Sequence, residues 1–217
     1  MDEVILMHPM KTGGRTLIVK LRKHGMLYAD GLLAHDTLKE VVGRVGGYDS
    51  FVSRTSLMVA RNPYSRLASF HRFCARLPKS HAYEYCLTSF EDFVLEHKDI
   101  LTTLCTPQHK YFMYEGKCIV NYIAKFEKYG PEVTWFLRSI GINDPIKTDN
   151  FRMWKEKYTP ETQRIVYEAF EQDFNLLDYD FEINADEVRF KPLRSLHNIE
   201  EELKLLYPKK HWFFWTK

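Results

Sequence analysis

The sequence predicts a single α/β domain whose central, mostly parallel sheet is flanked by helices. Three observations carry this reading. Two short runs, "VILMH" (4–8) and "SLMVAR" (56–61), have the near-continuous apolar character of strands buried on both faces. Each run leads into a segment with helical spacing, and strand–helix alternation points to a parallel sheet covered by helices. The 217 residues suffice for one well-formed core and are too few for two comfortable ones. Residues 1–217 are therefore assigned to one domain, with 186–217 either an appended substrate-side segment or a packing segment.

The elements follow in chain order. After the first strand, Gly13 and Gly14 break the run, and "RTLIVKLRKHG" (15–25) has helical spacing with Leu17, Leu21 and Ile18 inward and Gly25 as its stop. The strand ending at Arg61 feeds "NPYSRLASFHRFCARL" (62–77), where Asn62 is the expected cap and Pro63 occupies the first turn, a position that needs no N–H. Leu67, Phe70 and Cys74 form its apolar stripe. "SFEDFVLEH" (89–97) starts a helix capped by Ser89, with Glu91 and Asp92 near the positive end of its dipole. "CIVNYIAKFE" (118–127) partly alternates and reads as one strand, and "PEVTWFLRSIG" (131–141) as a helix closed by Gly141. The longest helix is expected over "TPETQRIVYEAFEQDF" (159–174), with Thr159 as cap and Ile165, Val166, Ala169, Phe170 and Phe174 on one face.

Composition narrows the function. Apolar residues at 45% and charged residues at 28% are ordinary for a globular chain and argue against disorder. A formal charge of +2 argues against a nucleic-acid coat, so any positive potential must be local. No run reaches the roughly 18–20 apolar residues that span a bilayer, and the acidic start "MDEVILMHP" does not read as a secretory signal. The expected location is cytoplasmic, with no membrane partner. Cys74, Cys86, Cys105 and Cys118 show neither CxxC pairing nor a histidine at zinc-finger spacing, and a reduced set is expected.

Two motifs carry the chemistry. In "MHPMKTGGRT" (7–16) a strand runs through glycines into a helix, which gathers backbone N–H groups and the positive helix end around one point. Lys11 adds a mobile charge, Thr12 and Thr16 add hydroxyls, and Arg15 adds a second cation. The nucleotide-kinase loop GxxxxGK[ST] carries its lysine after the second glycine, beside a magnesium-holding Ser or Thr. Here Lys11 precedes "TGG", so the lysine enters from the strand side. The second motif is "VARNPYSRLASF" (59–70). Arg61 ends its strand at the edge where open α/β sheets bind ligands, and Arg66 and Ser69 share a helix face. Two guanidinium groups and a hydroxyl suit a dianion. The alternatives for each motif alone are a solvated lysine in an ordinary turn, or Arg66 paired with a surface carboxylate.

Together the motifs resemble those of the sulfotransferases that use 3′-phosphoadenosine-5′-phosphosulfate (PAPS), and look closest to the branch of carbohydrate 2-O-sulfotransferases. Further similar stretches are "SFEDFV", "TPQHKYF", "YIAKFEKYGPE" and "YEAFEQDFNLLDY", so the resemblance runs over roughly residues 4–181. It implies that Lys11 is the catalytic lysine at the oxygen bridging phosphate and sulfate. It implies a 5′-phosphosulfate loop, P-loop-like in form, made of Thr12, Gly13, Gly14, Arg15 and Thr16. Arg61 and Ser69 then fall on the 3′-phosphate ligands, and Arg152 in "DNFRMWKEKYT" matches a basic loop that closes over the nucleotide. The chain departs from the family in placing Met10 between Pro9 and Lys11, and in carrying Arg15 where Thr or Ser is usual.

The resemblance also suggests His35, in "GLLAHDTLKEVV", as the acceptor-activating base, since imidazole is suited to proton transfer near neutral pH. His109 and Glu127 are reserve candidates, His8 reads as structural, and Asp36 either caps the next helix or orients His35. The expected reaction moves a sulfuryl group from PAPS to a hydroxyl or amine of a carbohydrate or small molecule, leaving adenosine 3′,5′-bisphosphate and requiring no metal. The alternatives are a kinase-like phosphotransferase and a non-catalytic nucleotide-binding module. The C-terminal "PKKHWFFWTK" offers aromatics at 212–215 for an acceptor pocket or for packing. Oligomeric state is not legible.

Overall fold

The computed structural model describes residues 3–31, 35–144, 146 and 158–181. It is a mixed α/β structure built on a three-stranded parallel sheet. Strand β1 (Val4–Met7) lies at one edge, β2 (Thr55–Ala60) in the centre, and a third strand, Tyr122–Lys125, at the other edge. Leu6 is in register with Leu57, and Leu57 in turn with Tyr122.

The sheet is buried on both faces, and the strands divide residue by residue between two cores. Ile5, Met7, Met58, Ala60 and Ile123 face one side, while Val4, Leu6, Leu57, Val59, Tyr122 and Ala124 face the other. That is the period-2 geometry of a strand with both sides apolar, which explains why the sequence runs do not alternate.

On the second side lie α1 (Gly14–Lys23), contributing Leu17 and Leu21, and the helix Tyr129–Ser139, contributing Val133, Phe136 and Leu137. Both end in the same way. At Gly25 (φ 64°) the N–H of Met26 reaches the Leu21 carbonyl at 3.0 Å, and at Gly141 (φ 87°) that of Ile142 reaches Leu137 at 2.8 Å. Such left-handed closures favour glycine because a Cβ is strained there.

The first side is larger. It takes α2 (Leu38–Arg44), α3 (Tyr48–Val52), α4 (Pro63–Cys74), α5 (Phe90–Glu96) and the short α6 (Leu101–Leu104). Asn62 caps α4, accepting from the Tyr64 N–H at 3.0 Å with Pro63 in the first turn, and Ser89 caps α5 through the Asp92 N–H at 3.1 Å. Leu67, Phe70 and Cys74 are buried as the stripe requires.

Two expected elements differ. The stretch 118–127 is not one strand: β3 (Met113–Tyr114) and β4 (Lys117–Cys118) form a small hairpin, and β5 (Tyr122–Lys125) alone joins the sheet. Asn121 separates them by turning its side chain onto Ser56, accepting from its N–H and its hydroxyl, both at 2.8 Å. The helix α7 (Tyr129–Ser139) then begins two residues before Pro131. Likewise 159–174 divides into α8 (Pro160–Ala169) and α9 (Glu171–Leu176), because Phe170 leaves helical geometry (φ −119°, ψ 24°). Among the described residues the longest helix is α4, with 12 residues. Thr159 and Pro160 start α8 as expected, and Ile165, Val166, Phe170 and Phe174 remain buried across the break.

No helix among the described residues is long and apolar enough to cross a membrane.

Candidate functional site

The turn between β1 and α1 is held from behind. The Thr12 hydroxyl donates to the Pro9 carbonyl at 2.8 Å, Arg66 Nε to Met10 at 3.0 Å, Arg61 Nη1 to Lys11 at 3.0 Å, and the Tyr129 phenol to Gly13 at 3.2 Å. Because a trans peptide points its N–H opposite to its carbonyl, securing these carbonyls turns the amides of Met10, Lys11, Thr12 and Gly14 away from the donors. Gly13 sits at the N-cap (φ 85°) with no side chain to cap the helix, and the first turn of α1 holds no acidic residue. The first-turn amides thus lack intrahelical acceptors at the positive end of the dipole, which is an arrangement suited to an oxyanion.

Each expected loop residue now has a place. Lys11 adopts a left-handed backbone (φ 68°), and its ammonium lies 4.2 Å above the Phe73 ring. Burial first, then the positive charge of Arg61, pulls its pKa below the usual lysine range, with Cys74 acting in the opposite sense. Thr12 is fully buried, so its hydroxyl serves the turn and only its N–H faces the other way. Thr16 hydrogen-bonds the Tyr129 phenol. Arg15 is exposed.

Arg61 is the centre of the second motif and is only 3% exposed. Its main chain is clamped by Gln108, which accepts from the Arg61 N–H at 2.8 Å and donates back to its carbonyl at 2.7 Å. The guanidinium donates to Ser65 Oγ at 3.0 Å as well as to Lys11, and stacks 4.2 Å from the Phe126 ring centroid. Its Nη2 is buried with no hydrogen-bond partner. Burial lowers the Arg61 pKa to about 10, against the raising influence of Glu127. Ser69 is buried one turn beyond Ser65 on the same face of α4.

Arg66 departs from both sequence readings. It is neither a surface ion-pair partner nor a second fork aimed at the Arg61 side. It is 2% exposed and bridges the Met10 carbonyl to that of Thr106, at 3.0 and 2.8 Å. Its work is to fasten the turn.

The histidines separate into two groups. His35 directs Nδ1 to the His8 carbonyl at 2.9 Å, and its ring lies 4.6 Å from the His8 ring. His109 donates from Nδ1 to the fully buried Asp173 at 2.9 Å, while Asp173 also accepts the N–H groups of Gln108 (2.6 Å) and His109 (2.8 Å). Of the other reserve residues, Glu127 accepts from the Asn62 N–H at 2.8 Å and the Tyr179 hydroxyl at 3.0 Å, which makes it a brace at the start of α4. Burial raises its carboxyl pKa. Asp36 does not cap α2. Thr37 does, with Glu40 accepting its N–H at 2.6 Å, and Asp36 pairs instead with Arg44 at 2.9 Å.

Sequence reasoning missed Ser65, Gln108, Tyr129 and Asp173. Their types carry no signal by themselves, since their roles come from contacts across the chain. Arg152 and the aromatics at 212–215 lie outside the described residues, as does the segment 186–217. Among the described residues no group of three or more His, Cys, Asp or Glu side chains is placed to hold a metal ion. Cys74, Cys86 and Cys105 are buried and Cys118 is partly buried, all as free thiols. Comparison with protein-family models, with curated proteins and with solved structures found no match to this chain.

Proposed function

We propose that the chain is a PAPS-dependent sulfotransferase acting on a hydroxyl or amine of a carbohydrate or small molecule. The observation that carries this reading is the contact between the two motifs. Arg61 meets the turn that bears Lys11 at 3.0 Å and keeps a buried, unpartnered Nη2. An orphaned guanidinium N–H beside a set of outward amides fits a ligand with two separate anionic groups.

In this reading the strand–turn–helix is a P-loop-like cradle for the 5′-phosphosulfate, formed by the amides of Thr12 to Gly14 with Arg15 and Thr16 at its helical side. Arg61 and Ser69 take the 3′-phosphate, and Arg152 supplies a further cation for the nucleotide. PAPS supplies an activated sulfuryl group. The Lys11 ammonium neutralises charge on the leaving 5′-phosphate oxygen as the bridging O–S bond breaks. His35 takes the acceptor proton as the new O–S or N–S bond forms. Its Nδ1 faces a carbonyl, which can only accept, so Nδ1 carries the ring proton and Nε2 the lone pair. The reaction uses no metal, and the protein works in the cytoplasm.

Calorimetric titration tests the proposal. Adenosine 3′,5′-bisphosphate is expected to bind tightly and without magnesium, and adenosine 5′-phosphate much more weakly. Tighter, magnesium-dependent binding of ATP would replace the reading with a kinase-like phosphotransferase, and binding without any PAPS turnover would leave a nucleotide-binding module.

A further inference from the structure

His8 was expected only to pack, yet three contacts join it to both halves of the site. Its ring fills the space that a side chain at position 14 would need. A Cβ built on Gly14 would lie 2.2 Å from His8 Cδ2 and 2.5 Å from Nε2. The opposite neighbour is His35, with ring centroids 4.6 Å apart and planes tilted by 35°. The His8 carbonyl accepts from His35 Nδ1 at 2.9 Å. A third residue holds the His35 main chain, the Tyr111 hydroxyl donating to its carbonyl at 3.4 Å. His35 itself is an exposed residue in a left-handed conformation (φ 74°).

We infer that His8 is a positioning residue for His35: its ring, seated on Gly14, sets the plane of the imidazole so that Nδ1 meets the His8 main-chain carbonyl, and the tautomer follows from that alignment. The inference rests on the reading of His35 as the base.

The chemistry favours a neutral ring in this place. His8 is 9% exposed, and its Nδ1 is buried without a partner. Lys11, Arg15 and His35 all oppose its protonation, beyond the larger cost of burial. A second cation stacked on His35 would repel the imidazolium formed when the base takes a proton, whereas a neutral ring does not. Gly14 therefore matters for space, since its absent Cβ lets the His8 ring lie between the turn and His35.

The test uses the full chain labelled with ¹⁵N-histidine, and reads the His35 ring nitrogens by long-range proton–nitrogen correlation with no nucleotide present. Wild type is expected to show Nδ1 protonated and Nε2 bare. His8→Ala should mix the tautomers, and His8→Phe, which refills the Gly14 cradle with a planar ring, should restore the wild-type pattern. In parallel, PAPS desulfation with water as acceptor should slow by roughly ten- to hundredfold in His8→Ala, with KM for PAPS unchanged, and recover in His8→Phe. A wild-type His35 bearing its proton on Nε2 would overturn the inference, as would a folded His8→Ala that keeps both tautomer and rate. Should His8→Ala fail to fold, the tautomer in His8→Phe decides alone: wild-type supports the inference and a mixture overturns it. Failure of the wild type to bind or consume PAPS would sink the sulfotransferase reading instead, since the nitrogen signals need no nucleotide.

Discussion

Arg61 Nη1 donates to the Lys11 carbonyl across 3.0 Å, tying the end of the central strand to the turn that follows the edge strand. One guanidinium thus shapes the turn with one nitrogen and leaves another, Nη2, with no partner. Arg61→Ala is expected to remove both effects. Losing the bonds to Lys11 and Ser65 should cost about 1–3 kcal/mol in urea unfolding. Affinity for adenosine 3′,5′-bisphosphate should fall on the order of tenfold to a hundredfold. Comparable weakening for adenosine 5′-phosphate would show that Arg61 does not read the 3′-phosphate.

Lys11 is expected to behave differently. Its ammonium is held on Phe73, away from the carbonyl that Arg61 secures, so Lys11→Ala leaves the turn's anchor in place. Turnover should drop by roughly 10²–10³-fold, the scale for losing one group that stabilises developing charge, with bisphosphate affinity nearly unchanged. Since burial and Arg61 lower the Lys11 pKa, the alkaline loss of turnover should set in below the ordinary lysine value of 10.5. An equal loss in affinity and turnover would reassign Lys11 to ground-state binding.

Gly14 is required for space. Gly14→Ala places a methyl 2.2 Å from His8 Cδ2, a rigid ring atom that must move. The expected cost is about 1–3 kcal/mol, as for other overpacked positions. The double variant Gly14→Ala/His8→Ala should recover most of it, because the methyl then enters the vacated volume. Additive losses in that cycle would mean that the two residues do not share the space.

The first two strands and the helix caps were legible because each is written locally. Asn62, Ser89 and Thr159 cap their helices by side chains a few residues from the amides they serve, and β1 and β2 show as apolar runs. The break at Phe170 was hidden because Ile165, Val166, Phe170 and Phe174 keep a continuous buried pattern across it. The strand 118–127 was overextended because the turn of Asn121 onto Ser56 is a contact across 65 residues. The same limit applies to Arg66. Its spacing with Ser69 indicated an anion face, and only the positions of Met10 and Thr106 direct its guanidinium to carbonyls.

Asp173 supports the site from a distance. It is fully buried and accepts three hydrogen bonds, two from the backbone of Gln108 and His109 and one from the His109 ring. Gln108 in turn grips Arg61 at both its N–H and its carbonyl. Asp173→Ala leaves two backbone donors unpaired in the interior, which should cost about 3 kcal/mol or more. Bisphosphate affinity should fall with it, although Asp173 touches no expected ligand atom. A variant that loses stability yet keeps full affinity would show that Gln108 holds Arg61 without help from Asp173.

His8 gives the fold an acid sensitivity of defined sign. Its pKa falls from 6.5 to about 3, chiefly through burial, with His35, Arg15 and Lys11 adding to the shift. Between these values the unfolded chain binds a proton that the folded chain refuses, so stability rises with pH across the window. The slope contributed by one such group is at most about 1.4 kcal/mol per pH unit. Above 6.5 both states are neutral at this position and the cost vanishes; below about 3 it is fully present. His8→Phe removes the titration and the buried, unpartnered Nδ1 together. Urea unfolding at a series of pH values should therefore show a shallower acid decline in His8→Phe than in wild type, with the two curves running parallel above pH 6.5. Parallel curves across the whole range would mean that His8 titrates alike in both states, and that its ring is not held neutral between Gly14 and His35.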